Sequence, residues 1–282
     1  MTSVTRCALL LAAMMLLAAC ADDDYADRMA QEHADDAPTA SAATTGADAL
    51  DVAAEEVVYA TVEGEPVTGY LARPAGAEVD ARPGLLVIHE WWGLNDNIRA
   101  MTRRLADQGY TALAVDLYGG RVAQTPDSAR AIMQAAMGRE AQLTDNLTQA
   151  YEYLVTQQQA PRVGALGWCF GGGWSLRTAL ALPERLDAVV VYYGEPVTDR
   201  DRLATLEMPV LGIFGAEDRG IPVDRVREME QALQDLGKDA LILVYEGVGH
   251  AFANPSGDNY DPTAAQGAWE STTAFLARHL QP

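Results

Sequence analysis

The residue whose setting most suggests chemistry is Cys169. It lies in Gly167-Trp168-Cys169-Phe170-Gly171-Gly172-Gly173, directly after the apolar segment Arg162–Leu166. A strand that ends in Gly-x-Cys-x-Gly and passes at once into a helix predicts a thiol on a sharp, strained turn. Glycines two before and two after the thiol let strand and helix approach each other. The helix would aim its N-terminus at the sulfur, which lowers the thiol pKa and offers N–H groups to an oxyanion. The chemistry is nucleophilic attack on a carbonyl. The bland alternative is a buried structural cysteine at a tight turn.

A thiol nucleophile needs a base, and the base needs orienting. The chain has four histidines. His250 lies in Glu246-Gly247-Val248-Gly249-His250-Ala251-Phe252, a glycine-containing loop after the last strand, and is the candidate base. His33 falls in an acidic N-terminal stretch, and His279 beside Arg278 reads as a surface residue. Asp218, in Gly215-Ala216-Glu217-Asp218-Arg219-Gly220-Ile221-Pro222, is the candidate orienting carboxylate. Glu217 is its rival, and a turn or helix-capping role is its alternative. Cys169, Asp218 and His250 each fall on a loop that follows a strand, and that conjunction outweighs any single motif.

The elements that must position these loops are regular from Val57 onward. Val57–Val62 and Val67–Arg73 alternate around Glu63-Gly64-Glu65-Pro66 and predict a hairpin. Gly84–His89 and Thr111–Val115 are continuous apolar runs suited to strands buried on both faces. Further strands are expected at Arg162–Leu166, Ala188–Tyr192, Pro209–Phe214 and Ala240–Tyr245. Helices are expected at Asn95–Gln108, Pro126–Met137, Glu140–Gln158, Gly172–Leu182, Val223–Leu236 and Thr263–His279. The pattern predicts one α/β domain over 57–282. Its eight-stranded sheet is mostly parallel, with an antiparallel N-terminal hairpin and helices on both faces.

The first 56 residues are different. Arg6 precedes an apolar run from Ala8 to Ala19. As a helix it would rise about 18 Å, too short for a bilayer core of about 30 Å, so residues 1–19 read as a secretory signal. The run ends Leu17-Ala18-Ala19-Cys20, which resembles a bacterial lipobox and implies lipidation of Cys20. Ala21 after it implies sorting to the outer membrane. From Ala21 to Glu56 there are 11 acidic residues and one basic residue, Arg28, so half of the formal charge of −20 lies there. With so little apolar surface, residues 20–56 are expected to be a disordered acidic tether. Of three cysteines, Cys7 leaves with the signal, Cys20 is blocked, and Cys169 is the one thiol of the domain. The acidity argues against nucleic-acid binding.

Taken together, the elbow around Cys169 and the order Cys169, Asp218, His250 resemble the α/β-hydrolase fold. His89-Glu90-Trp91-Trp92-Gly93-Leu94, Ala114-Val115-Asp116-Leu117-Tyr118, Tyr192-Tyr193-Gly194 and Gly249-His250-Ala251-Phe252 narrow the resemblance to the dienelactone hydrolase family. That resemblance covers Val57–Pro282. It implies cleavage of a small-molecule lactone or ester through a Cys169–His250–Asp218 triad and a thioester acyl-enzyme. It implies that Glu90 contacts a resting neutral thiol and draws its proton when substrate binds; a carboxylate paired with an Arg is the bland alternative. His89 is expected to be structural, because alternation points it away from Glu90. The backbone N–H groups of Phe170 and Trp91 are expected to form the oxyanion hole. Trp92, Tyr118, Arg130, Trp168 and Asn254 are candidate substrate contacts, and such aromatics are also ordinary core packing. No metal, cofactor or nucleic acid is expected, and the protein is expected to be a monomer whose membrane contact is its lipid anchor, facing the periplasm. A broad carboxylesterase or thioesterase, a thiol redox protein and a non-catalytic envelope binding protein of the same fold remain as other readings.

Overall fold

The computed structural model describes residues 25–34, 36–39, 41, 46–76 and 81–281. The signal segment and Cys20 lie outside them. Among the described residues no helix is long and apolar enough to cross a membrane.

The domain is built on eight strands, β1 (Val52–Val62), β2 (Glu65–Pro74), β3 (Gly84–Ile88), β4 (Thr111–Val115), β5 (Val163–Trp168), β6 (Ala188–Tyr192), β7 (Val210–Gly215) and β8 (Ala240–Tyr245). They form one sheet in the order β1-β2-β4-β3-β5-β6-β7-β8. β1, β2 and β4 pair antiparallel, and every pairing from β4 to β8 is parallel. The hairpin turn is tighter than the sequence predicts. Only Glu63 and Gly64 lie outside the strands, and both take positive φ (53° and 87°). That is the two-residue turn whose twist matches the paired strands.

β3 through β7 are buried along nearly their whole length, which is why their sequences are continuous apolar runs rather than alternating ones. The helices are α1 (25–32), α2 (Asp96–Asp107), α3 (Pro126–Met137), α4 (Glu140–Thr156), α5 (Phe170–Ala181), the short α6 (Arg200–Leu203), α7 (Val223–Asp235) and α8 (Pro262–Leu280). They cover both faces of the sheet. α2 and α8 meet where the Arg104 guanidinium lies 4.3 Å over the Trp269 ring. Their starts follow the capping signals: the Asn95, Thr125 and Asp261 side chains accept from backbone N–H groups of the first turns.

The N-terminal stretch departs from the expected disordered tether in two places. Residues 25–32 are helical, with Tyr25, Ala26 and Met29 buried. Composition averages over a segment, whereas these three residues, at i, i+1 and i+4, gather on one helical face. The domain also begins before Val57. β1 starts at Val52, and Arg103 Nε donates to the Ala47 carbonyl at 2.9 Å just ahead of it. Glu55 and Glu56 are strand residues whose carboxylates meet Arg73 (3.0 Å) and Arg99 (2.8 Å).

Candidate active site

The parallel strands end together along one edge of the sheet, and the loops leaving β3, β5, β7 and β8 carry the candidate residues. This is where an open α/β sheet binds its ligands. Cys169 follows β5 directly and precedes the first residue of α5. Its backbone has φ 57° and ψ −119°, a region that L-residues rarely occupy, as expected of a strained elbow. The flanking glycines are required by contact. A Cβ on Gly167 would run into the Gly171 carbonyl, and one on Gly171 into the carbonyl of Ile88 at the end of β3. The elbow is thus wedged between β5 and β3, and the Cys169 N–H is fixed on the Tyr192 carbonyl at 3.0 Å.

His250 and Asp218 come together as the sequence predicts. His250 Nδ1 donates to Asp218 Oδ2 at 2.7 Å, with both side chains fully enclosed. Asp218 Oδ1 accepts from the Ile221 N–H at 2.7 Å, so the loop's own turn fixes the carboxylate. Glu217, the rival, is exposed. One coordinating atom from each of Cys169, His250 and His33 lies within 4.8 Å of the others. His250 Nε2 has no hydrogen-bond partner and is the nitrogen left for the thiol.

Burial pushes the Cys169 thiol up, but the charges and hydrogen-bonding capacity of His250 and His33 outweigh it and bring it down to about 6. Burial opposes a charge on His250, yet the Asp218 carboxylate and the Cys169 thiolate hold its pKa well above the usual imidazole range. Thiolate and imidazolium stabilise each other, which favours an ion pair over the neutral thiol expected from sequence.

Glu90 is buried, and burial followed by the Cys169 charge pushes its carboxyl up to about 8. Its Oε2 accepts from Asn254 Nδ2 at 2.8 Å. Asn254 therefore differs from its expected role as a substrate contact. Its Oδ1 accepts from Asn97 Nδ2 (3.1 Å), Ser256 N–H (2.8 Å) and Ser256 Oγ (2.7 Å), which commits its amide to positioning Glu90. His89 is structural: Nδ1 donates to the Glu90 carbonyl at 2.6 Å, and Nε2 accepts from Leu117 N–H at 3.2 Å.

The aromatic candidates do not form one wall. Trp91 stacks on His33 (4.8 Å between centroids) and meets Trp92 edge-on (4.9 Å), so these two border the site. Tyr118 packs on His89 (4.6 Å) and Phe170 (5.3 Å) in the layer beneath. Trp168, adjacent to the nucleophile, points to the other face of the sheet and packs on Tyr192 at 5.5 Å. Arg130 reaches Asp27 of α1 instead of the nucleophile (Nε to Oδ1 2.8 Å). A cavity of about 940 Å³ opens between Glu56, Arg99, residues 116–122 and Arg139, but neither Cys169 nor His250 lines it.

What covers Cys169 is α1. Met29 Sδ lies 3.7 Å from Cys169 Sγ, and His33 packs edge-on against His250 (5.3 Å). Cys169 is left 1% exposed, so no substrate reaches it in this arrangement. Arg28 fastens the helix to Glu195 (3.0 Å) and to the Gly220 carbonyl (3.0 Å), beside Asp218. Met29, His33 and Asp36 are the site residues that sequence reasoning missed. The signal that could have found them was His33 three residues before Asp36, just beyond the apolar face of α1.

A family model described as the dienelactone hydrolase family matches residues 67–280. Protein usf of Aquifex pyrophilus is 33% identical over 224 residues, covering 77% of this chain and 95% of that protein. A protein of Aquifex aeolicus whose name assigns it carboxymethylenebutenolidase activity is 32% identical over 225 residues, covering 77% and 96%. The crystal structure of a Klebsiella pneumoniae protein assigned as a dienelactone hydrolase superposes with a TM-score of 0.72 at 30% identity, covering 80% of this chain and 99% of that one.

Proposed function

The chain belongs to the dienelactone hydrolase family and is a carboxylic ester hydrolase, and from that premise we propose that it cleaves a lactone or ester through Cys169, His250 and Asp218. The observation that carries this reading is the buried thiol on a positive-φ elbow, beside an imidazole whose other nitrogen is held by a carboxylate at 2.7 Å.

The Cys169 thiolate attacks the acyl carbon and forms the C–S bond. The Phe170 N–H, at the first position of α5, and the Trp91 N–H after β3 receive the developing oxyanion. The His250 imidazolium gives its Nε2 proton to the departing alkoxide or enolate as the C–O bond breaks. Neutral His250, oriented by Asp218, then takes a proton from water, whose oxygen attacks the thioester. The C–S bond breaks, the acid leaves, and the thiolate–imidazolium pair is restored. Glu90 stays neutral beside the thiolate at neutral pH, because burial disfavours its charged form and the Cys169 charge repels it.

We also propose, from the sequence signals at Arg6 to Cys20, that the protein is lipid-anchored at Cys20 in the cell envelope. Four residues separate Cys20 from Tyr25 at the start of α1, and five Cα-to-Cα steps reach at most about 18 Å. An anchor there would hold the covered mouth of the site near the lipid surface.

The test of the nucleophile is Cys169→Ala. Hydrolysis of an activated aryl ester and of a dienelactone should fall by about 10⁴-fold or more. Wild-type protein exposed to an ester and lactone panel should show, by intact-mass spectrometry, an acyl adduct that maps to Cys169. Unchanged turnover in the variant would remove the assignment.

A further inference from the structure

Two features of the covered site are not used by ester hydrolysis. His33 and Met29 are both buried against the nucleophile, and neither lies on the catalytic scaffold. The ring nitrogens of His33 and His250 are arranged alike. Nδ1 of His33 donates to Asp36 Oδ2 at 3.0 Å, as Nδ1 of His250 does to Asp218 Oδ2 at 2.7 Å. That leaves Nε2 of each ring, and both are buried facing the Cys169 sulfur with no oxygen or nitrogen partner. Carboxylate on one nitrogen and the other turned inward is how a protein presents histidine to a metal ion, with the carboxylate fixing tautomer and ring orientation. Cys169 Sγ completes a three-donor group within 4.8 Å, and Met29 Sδ stands 3.7 Å from that sulfur.

We propose that docking of α1 assembles a metal site from His33 Nε2, His250 Nε2, Cys169 Sγ and Met29 Sδ, that it takes copper(I), and that the bound ion holds the hydrolase closed. The donor set decides the ion. Two imidazoles and a thiolate suit zinc and copper alike, whereas a thioether is a soft ligand that favours copper(I). Magnesium and calcium, which need several oxygen ligands, have none here. Bonds of about 2.0–2.3 Å place tetrahedral donors about 3.5 Å apart, so the group would draw in by about 1 Å on binding. Cys169 binds as thiolate, and the Nε2 proton of the His250 imidazolium passes to solvent as the ion takes its place. No electron moves, because the ion enters as copper(I).

The site exists only with α1 in place, since two of the four donors come from residues 29 and 33. α1 is seated by fitted contacts as well as by charge. The Met29 methyl fills the space that a Cβ on Gly220 would take, in the loop that carries Asp218. Beyond α1, Thr39 N–H donates to the Ser256 carbonyl at 3.1 Å, so the chain continues along the loop that holds Asn254. With copper bound, the thiolate is no longer a free nucleophile, and His250 Nε2 cannot carry a proton.

The test is anaerobic titration of the full chain with copper(I) against a chromophoric copper(I) chelator, followed by X-ray absorption of the loaded protein. The wild type should retain one ion per chain, with nitrogen and sulfur ligands together. His33→Ala and Met29→Ala should each weaken retention by about tenfold or more, and Asp36→Asn by about tenfold through looser orientation of the His33 ring. Met29→Ala should leave zinc(II) retention little changed. The proposal is overturned if the wild type retains no copper(I), or if His33→Ala and Met29→Ala retain it as the wild type does. Circular dichroism of each variant checks that it is folded, and the ligand spectrum of the wild type stands without any variant. Metal retention is read without ester turnover, so a failure here is distinguishable from a failure of the hydrolase assignment.

Discussion

The two halves of the covered site are held by different kinds of force. Cys169 is fixed by backbone: the elbow is pinned between β5 and β3, and its glycines tolerate no Cβ. α1 is held mainly by side chains, through buried Tyr25, Ala26 and Met29, two half-exposed arginine pairs and the Arg28 bond to the Gly220 carbonyl, with His33 just beyond it stacked on Trp91. Burying Met29, Tyr25 and Ala26 contributes about 5 kcal/mol. Ordering the eight residues of the helix costs about 1 kcal/mol or more each, and its own hydrogen bonds return part of that. Docking is therefore near balance, while the elbow is not free to open. A rigidly held thiol under a removable cover is the arrangement that follows.

The largest expected effect comes from breaking the rigid half. Gly171→Ala places a methyl against the Ile88 and His89 carbonyls, and neither can move without shifting the end of β3. We expect a loss of about 3 kcal/mol or more in stability and no measurable turnover. Denaturant unfolding and an ester assay check this. A fully active, stable variant would mean that the elbow is not wedged.

Breaking the removable half should do the opposite. Met29→Glu puts a charge where Met29 Sδ meets Cys169 Sγ, and an unpaired buried carboxylate expels α1. If α1 covers nine molecules in ten, opening it raises kcat/KM for a bulky ester by about tenfold. Lower turnover with an intact fold would mean that α1 belongs to the working site and does not merely cover it.

This contrast also explains what was legible in the sequence. The continuous apolar runs at Leu85–Ile88 and Val189–Val191, the Gly-x-Cys-x-Gly turn and the order Cys169, Asp218, His250 are local patterns with one physical solution each. They pointed to the sheet, the elbow and the loops that carry Cys169, Asp218 and His250. The preference for Asp218 over Glu217 gained its physical reason only in the fold, where Asp218 is buried and Glu217 exposed on the same loop. Asn254 and Arg130 pair with Glu90 and Asp27, contacts made over 164 and 103 residues of chain that no local pattern encodes. α1 was hidden because three apolar residues do little to the mean composition of an acidic stretch, although their placement decides its structure.

Within the rigid half, pH separates the two buried acids. Cys169 has its pKa lowered on folding, from 9.0 to about 6. Its contribution to stability is therefore present above pH 9 and lost as pH falls through about 6, and turnover falls with the thiolate. Glu90 is raised from 4.5 to about 8, so the folded state holds a proton that the unfolded state has released. Its contribution is present below pH 4.5 and lost as pH rises through about 8. Turnover should therefore be bell-shaped between about 6 and 8. Glu90→Gln keeps an oxygen for Asn254 and removes the ionisation, so the alkaline limb should disappear while the acid limb stays. An unchanged alkaline limb would assign it to another group, with His250 the first to examine.

The smallest effect tests whether charge or packing seats α1. Arg130 and Asp27 are each nearly half exposed, so solvent screening limits their pair to about 0–1 kcal/mol. Arg130→Ala should therefore raise turnover by at most about fivefold, and by less as salt increases. The informative measurement is the double variant. In the Met29→Glu background α1 has already left, so losing Arg130 should change nothing further. A gain of the same size in both backgrounds would show that Arg130 acts on the enzyme by a route other than α1. That result would restore to it the direct role near substrate that its position after Tyr118 suggests and its bond to Asp27 argues against.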